Sequence, residues 1–165
     1  MGIAGITNKW LWLVLVLCAS FVQAQSTPDF SRSRKYRVVR VSDGDTVTIG
    51  TTRKSIKIRL LGIDSPESAD PFRPPQPFGK EASDNLHKLL DGQQVYVRYG
   101  SRQDDPHCRK LGYLWRVSDK TFINLRQLQD GYARTTPKYK TLYDKEFIAA
   151  EAEAKQARRG LWATQ

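Results

Sequence analysis

Between Tyr36 and Ile63 three β-forming runs follow one another with only short turns between them. This disfavours a doubly wound sheet, because successive parallel strands need a long crossover, usually a helix. The first run, Tyr36-Arg37-Val38-Val39-Arg40-Val41, is rich in β-formers and roughly alternating. Asp43-Gly44 follows as a hairpin signal, since both residues tolerate the positive φ that such turns use. Asp45 to Ile49 is the return strand. Ser55 to Ile63 is the third, with Ile56, Ile58 and Leu60 on one face and Lys57, Arg59 and Leu61 on the other.

Ser65 to Pro77 carries five prolines, a density that neither a helix nor an inner strand tolerates, so it reads as a surface loop. Lys80 to Leu90 has a helical apolar stripe, and Gly92 stops it. Gln94 to Tyr99 and Leu111 to Val117 are the fourth and fifth strands, joined by a polar loop. Asn124 is placed to cap a short helix through Asp130, closed by Gly131. Thr141 and Asp144 form a capping-box pattern for a last helix running to about Arg159, with Phe147, Ala150, Ala154 and Ala157 as its packing face. The expected fold class is α+β, mainly β: a five-stranded OB-type barrel with three helices.

The first 24 residues stand apart. Lys9 precedes the apolar run Trp10 to Val22, and Val22-Gln23-Ala24 offers a small-residue cleavage site. This is the pattern of a secretory signal, and it predicts a secreted or periplasmic protein after cleavage near Ala24. The competing reading is a membrane anchor, but 13 residues fall short of a spanning helix. Lipid anchoring at Cys18 is disfavoured by bulky Leu17 just before it. The expected organisation is therefore 1–24 signal peptide, 25–35 flexible lead-in and 36–165 folded domain.

Without the leader the chain holds 26 Lys and Arg against 17 Asp and Glu, a formal charge of +9. Such a domain attracts polyanions, nucleic acid first among them, although a basic surface can also serve solubility alone. Cys108 would be the one remaining cysteine, which excludes an internal disulfide and a cysteine-based zinc site.

Asp45 begins a strand, where aspartate is disfavoured, and Asp64 ends one. If the first three strands form a meander, these two acids meet, and neighbouring carboxylates need a cation between them. Carboxylates, a backbone carbonyl and water make a hard-oxygen site suited to Ca²⁺. Solvated strand-end acids are the plainer alternative, and for Asp43 that alternative is a simple turn residue. Arg59 and Arg109 supply guanidinium groups able to bind phosphate with paired hydrogen bonds, or to lie solvated on the barrel.

Five blocks of this chain, in order, resemble the thermonuclease (staphylococcal or micrococcal nuclease-like) family. They are Asp43-Gly44-Asp45-Thr46, Arg59 to Glu67, Gln76 to Ala82, Asp105 with Arg109 and Leu111-Gly112-Tyr113, and Ala157 to Trp162. The resemblance spans about residues 36 to 162. It implies that Asp45, Asp64 and the Ser65 backbone carbonyl bind Ca²⁺, that Glu67 orients or deprotonates the attacking water, and that Arg59 and Arg109 hold the phosphate. The implied reaction is hydrolysis of DNA and RNA at the bond to the 5′ oxygen, leaving 3′-phosphates, by a monomer.

Where the family reads Asp-Arg-Tyr-Gly-Arg, this chain has Asp105-Pro106-His107-Cys108-Arg109. His107 is a candidate to stack on a base or donate to phosphate, with an exposed loop histidine the plainer reading. Tyr139 is a candidate base contact. The alternative function is a non-catalytic nucleic-acid-binding OB module, which has no need of Asp45, Asp64, Glu67, Arg59 and Arg109 together.

Overall fold

A computed structural model describes residues 28–51, 54–68, 74–137 and 140–163. The leader and its cleavage site lie outside the described residues. Strands β1 (Lys35–Asp43), β2 (Thr46–Thr51) and β3 (Lys54–Leu60) form an antiparallel meander. A two-residue strand β4 (Ile63–Asp64) follows, then α1 (Gly79–Leu90), β5 (Gln94–Asp104), β6 (Lys110–Arg116), α2 (Ile123–Gln129), a second two-residue strand β7 (Arg134–Thr135) and α3 (Asp144–Gln156). The barrel closes in the order β1-β2-β3-β6-β5, with β3 and β6 parallel and β5 returning to β1. β4 and β7 make a separate antiparallel ribbon.

The interior is what the alternation dictates. Val47, Ile49, Ile58, Leu60, Val95 and Leu114 point inward and are buried, each side chain contributing about 1.5–3 kcal/mol by burial. α1 covers one barrel opening with Ala82, Leu86 and Leu90. α3 docks through an aromatic cluster: Phe122 stacks on Trp115 at 4.5 Å, and Tyr143 meets Phe122 edge-on at 4.8 Å.

Four local readings change. Gly44 does not adopt positive φ. It is glycine because a Cβ there would lie 2.7 Å from Ser65 Oγ and 2.8 Å from Ala82 Cβ. Asn124 is no cap: it lies within α2, fully buried, with its amide turned to the barrel. α3 ends at Gln156, because Arg158 turns to φ 51° and Gly160–Trp162 forms a short 3₁₀ turn; Ala157 is exposed rather than packed. The lead-in is anchored from Pro28 onward, for Phe30 stacks on Tyr96 at 4.4 Å.

Candidate active site

The site forms where the β1–β2 turn meets the end of β3. Thr46 pairs with Arg59 across the meander, and the Leu60 amide donates to the Asp45 carbonyl at 2.8 Å. Asp45 is therefore held in the turn itself, one residue ahead of β2. Its carboxylate is buried, with Oδ1 accepting from Thr46 Oγ1 at 2.9 Å and Oδ2 from the Ser65 amide at 2.8 Å. Arg59 lies between the acids, with Nη1 2.8 Å from Asp45 Oδ2 and Nη2 bonded to Asp64. The cation that two neighbouring carboxylates require is, in this structure, a guanidinium. Burial pushes the Asp45 carboxyl up from its ordinary value despite Arg59 and its hydrogen bonds.

Glu67 stands at the surface beside Asp43. Their side chains share a hydrogen bond that, with desolvation and the charges of Asp43 and Asp45, pushes Glu67 up to about 8. Two carboxylates this close share a proton when no other cation intervenes. Asp43 is buried, and its Oδ1 also accepts from the Gly44 amide at 2.9 Å and the Ser68 amide at 3.1 Å. The plain turn reading missed this. The Glu67 backbone is stapled to the proline-rich loop: the Gln76 amide donates to the Glu67 carbonyl at 2.9 Å, and the Glu67 amide to Gln76 Oε1 at 3.1 Å.

Arg109 reaches the site in spite of its altered loop, because Asp105 folds that loop. Oδ1 of Asp105 accepts from the His107 and Arg109 amides, both at 2.9 Å, and Oδ2 accepts from Arg109 Nε at 2.7 Å. Nη1 of Arg109 then donates to Thr46 Oγ1 at 3.3 Å. Cys108 takes φ 56° at the position where the family has glycine, and its side chain is exposed. Arg59, Asp64, Glu67, His107, Arg109 and Thr136 line one cleft of about 160 Å³. Asp45 lies behind Arg59, outside the cleft lining. Tyr139 lies outside the described residues.

Two buried amides of α2 hold the acid-bearing loops. Asn124 Nδ2 donates to the Leu61 carbonyl at 3.0 Å, and its Oδ1 accepts from the Leu114 amide at 3.1 Å. Gln127 Nε2 donates to the Gly44 carbonyl at 2.6 Å and the Ala82 carbonyl at 3.2 Å. A third tie comes from α3, where buried Glu151 accepts from the Thr135 amide at 3.1 Å and from its hydroxyl. Arg134 pairs with Asp64 in the β4–β7 ribbon, so Glu151 steadies the strand that carries Asp64. Nothing local in the sequence distinguishes these three residues from ordinary helix-surface polar groups.

Among the described residues, no three His, Cys, Asp or Glu side chains converge as a metal cluster. The buried Asp45 carboxylate, the exposed Asp64 carboxylate and the Ser65 backbone carbonyl are all oxygen donors. They fit a hard cation completed by water. Arg59 engages only one oxygen of each acid, Oδ2 of Asp45 and Oδ1 of Asp64.

A small closed β-barrel with two paired carboxylates, a third acid and two arginines at one end defines a phosphate-ester site on an OB-type scaffold. Residues 57–164 match the family model described as Staphylococcal nuclease homologue. The thermonuclease of Staphylococcus hyicus is 33% identical over 135 residues, covering 80% of this chain and 78% of that protein. The thermonuclease of Staphylococcus intermedius is 35% identical over 136 residues, covering 79% and 77%. The micrococcal nuclease of Shigella flexneri is 32% identical over 153 residues, covering 88% and 83%. The chain belongs to the staphylococcal nuclease family and is a nuclease-type hydrolase.

Proposed function

We propose that the protein is an exported, Ca²⁺-dependent nuclease that cleaves DNA and RNA at the bond to the 5′ oxygen and leaves 3′-phosphate ends. The observation that carries this is the convergence of Arg59, Glu67 and Arg109 with Asp64 on one cleft, with Asp45 buried directly behind.

Asp45, Asp64 and the Ser65 carbonyl would hold the ion, which when bound supplies Lewis-acid charge neutralisation at a phosphate oxygen. Arg59, which engages one oxygen of each acid, and Arg109, held by Asp105 through Nε, present their remaining N–H groups to the phosphate. There they offset the charge that grows as a fifth oxygen joins phosphorus. Glu67 accepts a proton from the attacking water. The phosphorus–O5′ bond breaks, and the 5′ oxygen takes up a proton from solvent. Glu67 can act this way only once it is ionised, and a bound cation close to Asp45 and Asp43 favours that form.

The test is cleavage of single-stranded DNA and of RNA by the purified protein with Ca²⁺, with Mg²⁺ and with chelator, followed by end-group analysis. Cleavage confined to Ca²⁺ with 3′-phosphate ends is the expected result, and Glu67→Gln should lower kcat about 10²–10⁴-fold. Full activity in chelator would sink the metal assignment. Export rests on residues 1–24. Its test is the N-terminus of protein recovered outside the cytoplasm, expected at Gln25; an intact Met1 there would contradict it.

A further inference from the structure

The outer wall of the barrel leads into the cleft. The β1–β2–β3 register places the residues that alternate with the barrel interior in three rows, of which Asp43, Thr46 and Gly50 are themselves buried. Asp43, Thr46 and Arg59 form the row at the active site, Arg40, Thr48 and Lys57 the next, and Arg37, Gly50 and Ser55 the third. The middle member of each row, on β2, is small and uncharged. The flanking members of the second row are long and basic, and Arg37 continues the β1 edge. Arg37, Arg40 and Lys57 are exposed. A bulge between Val38 and Arg40 lets Arg40 keep this outward direction.

The three strands carry six basic residues and one acid, Asp43, which belongs to the site. Among the described residues, Lys35, Arg37, Arg40, Lys54 and Lys57 form no ion pair, while Lys110 and Arg116 of the neighbouring β6 each have one. Basic residues that serve only solubility are interspersed with acids; these are of one sign, in register and aimed at the catalytic row. Outward residues on a strand are about 6.8 Å apart, and β1 lies about 9.6 Å from β3. The trough is therefore roughly 14 Å long from Arg59 to Ser55 and one strand wide.

We propose that this trough along β2, walled by Arg37, Arg40 and Lys57, is an extended subsite for the phosphate backbone of a single polynucleotide strand, which it feeds toward Thr46 and the cleft. It rests on the nuclease reading only for the identity of the polymer. A dinucleotide held in the cleft does not reach the second and third rows, whereas a longer strand does.

The test is fluorescence anisotropy in chelator, with a labelled sixteen-nucleotide single strand and a labelled dinucleotide, comparing wild type with R37Q/R40Q/K57Q. Three lost contacts should reduce the slope of log affinity against log salt by about 2, since each phosphate contact on a single strand contributes about 0.7. Between 50 and 200 mM salt the wild type should then lose about 20-fold more affinity for the long strand than the variant does. Dinucleotide binding should be unchanged, and R40K/K57R should keep the wild-type slope. Equal loss for both ligands, or no loss for either, overturns the proposal. So does loss of binding to anionic phosphatidylglycerol vesicles with oligonucleotide affinity intact, which would assign the wall to a lipid surface. If the wild type cuts neither DNA nor RNA under any metal condition yet the length-dependent loss remains, the subsite stands and the nuclease reading fails.

Discussion

Replacing Asn124 by alanine should cost more than any surface substitution in this protein. Asn124 is fully buried and satisfies groups on two separate segments, the Leu114 amide of β6 and the Leu61 carbonyl just before the acid loop. The Gly112 carbonyl, also contacted by Nδ2 at 3.3 Å, keeps the Leu61 amide as a donor. Truncation thus strands one donor and one acceptor, at about 1–3 kcal/mol each, and leaves a void that admits no easy collapse against the closed barrel. The total is about 3–5 kcal/mol, a large part of the roughly 5–15 kcal/mol that holds such a domain. For a domain of this size that lowers Tm by roughly 10–15 °C. Urea and thermal unfolding followed by circular dichroism measure it. Asn124→Asp adds a second handle: its carboxylate can accept from Leu114 but faces the Leu61 and Gly112 carbonyls, so it should be weakest at neutral pH and recover as it protonates. If Asn124→Ala unfolds within about 1 kcal/mol of wild type, the amide is not the tie between α2 and the barrel, and the reasoning fails.

Gly62 sits at φ 85° with its hydrogen facing Phe147, and a Cβ would lie 2.6 Å from that ring; Gly62→Ala should cost about 2–4 kcal/mol by left-handed strain and overpacking, measured by urea denaturation. In chelator, the folded state keeps the Glu67 proton up to about pH 8, whereas an ordinary glutamate loses it near 4.5. The folded form binds the extra proton, so stability should fall as pH rises between those values and level off above. Asp43→Asn should flatten that fall, and an unchanged pH profile of urea midpoints would count against the shared proton. Burial works against the charge on Glu151, but its bonds from Lys155 and Thr135 prevail and lower its carboxyl below the ordinary value. Its contribution is therefore present above the ordinary glutamate range and lost as pH falls through the lowered value. Glu151→Ala should cost about 1–3 kcal/mol, from the unpaired Thr135 amide, and raise the Ca²⁺ concentration needed for cleavage through a loosened Asp64.

The barrel was legible because its meander is local: alternation gives the faces, short turns give the neighbours, and five strands with a basic exterior leave few ways to close. β5 runs to Asp104, beyond the predicted Tyr99, since its last residues are held by pairing with Lys110 across a register shift rather than by their own propensity. The β4–β7 ribbon was invisible for the same reason. Two residues have no periodicity, and Arg134-Thr135 becomes a strand only because Ile63-Asp64 lies beside it.

The acid and arginine positions could be found from their placement at strand ends, but their pairing could not. Arg59 is on the same strand as the residues leading to Asp64, and only the meander register brings Asp45 to its other side. The supports are more hidden still. Asn124 and Gln127 are one helical turn apart on α2, and from the sequence Asn124 reads only as a cap. In the folded chain one holds the loop leading to Asp64 and the other the turn carrying Asp43 and Asp45. The distance between the two acid-bearing segments is thus set by a helix as well as by their direct bonds, the Ser65 amide on Asp45 and the Ser68 amide on Asp43. Arg59 is a further tie on the loop leading to Asp64, since its Nη1 donates to the Ile63 carbonyl at 2.8 Å and to the Leu60 carbonyl at 3.3 Å. On this argument Gln127→Ala should lower stability and ion affinity together, and Arg59→Ala should lower both turnover and stability, because it also removes the bond to the Ile63 carbonyl and leaves buried Asp45 without its cation.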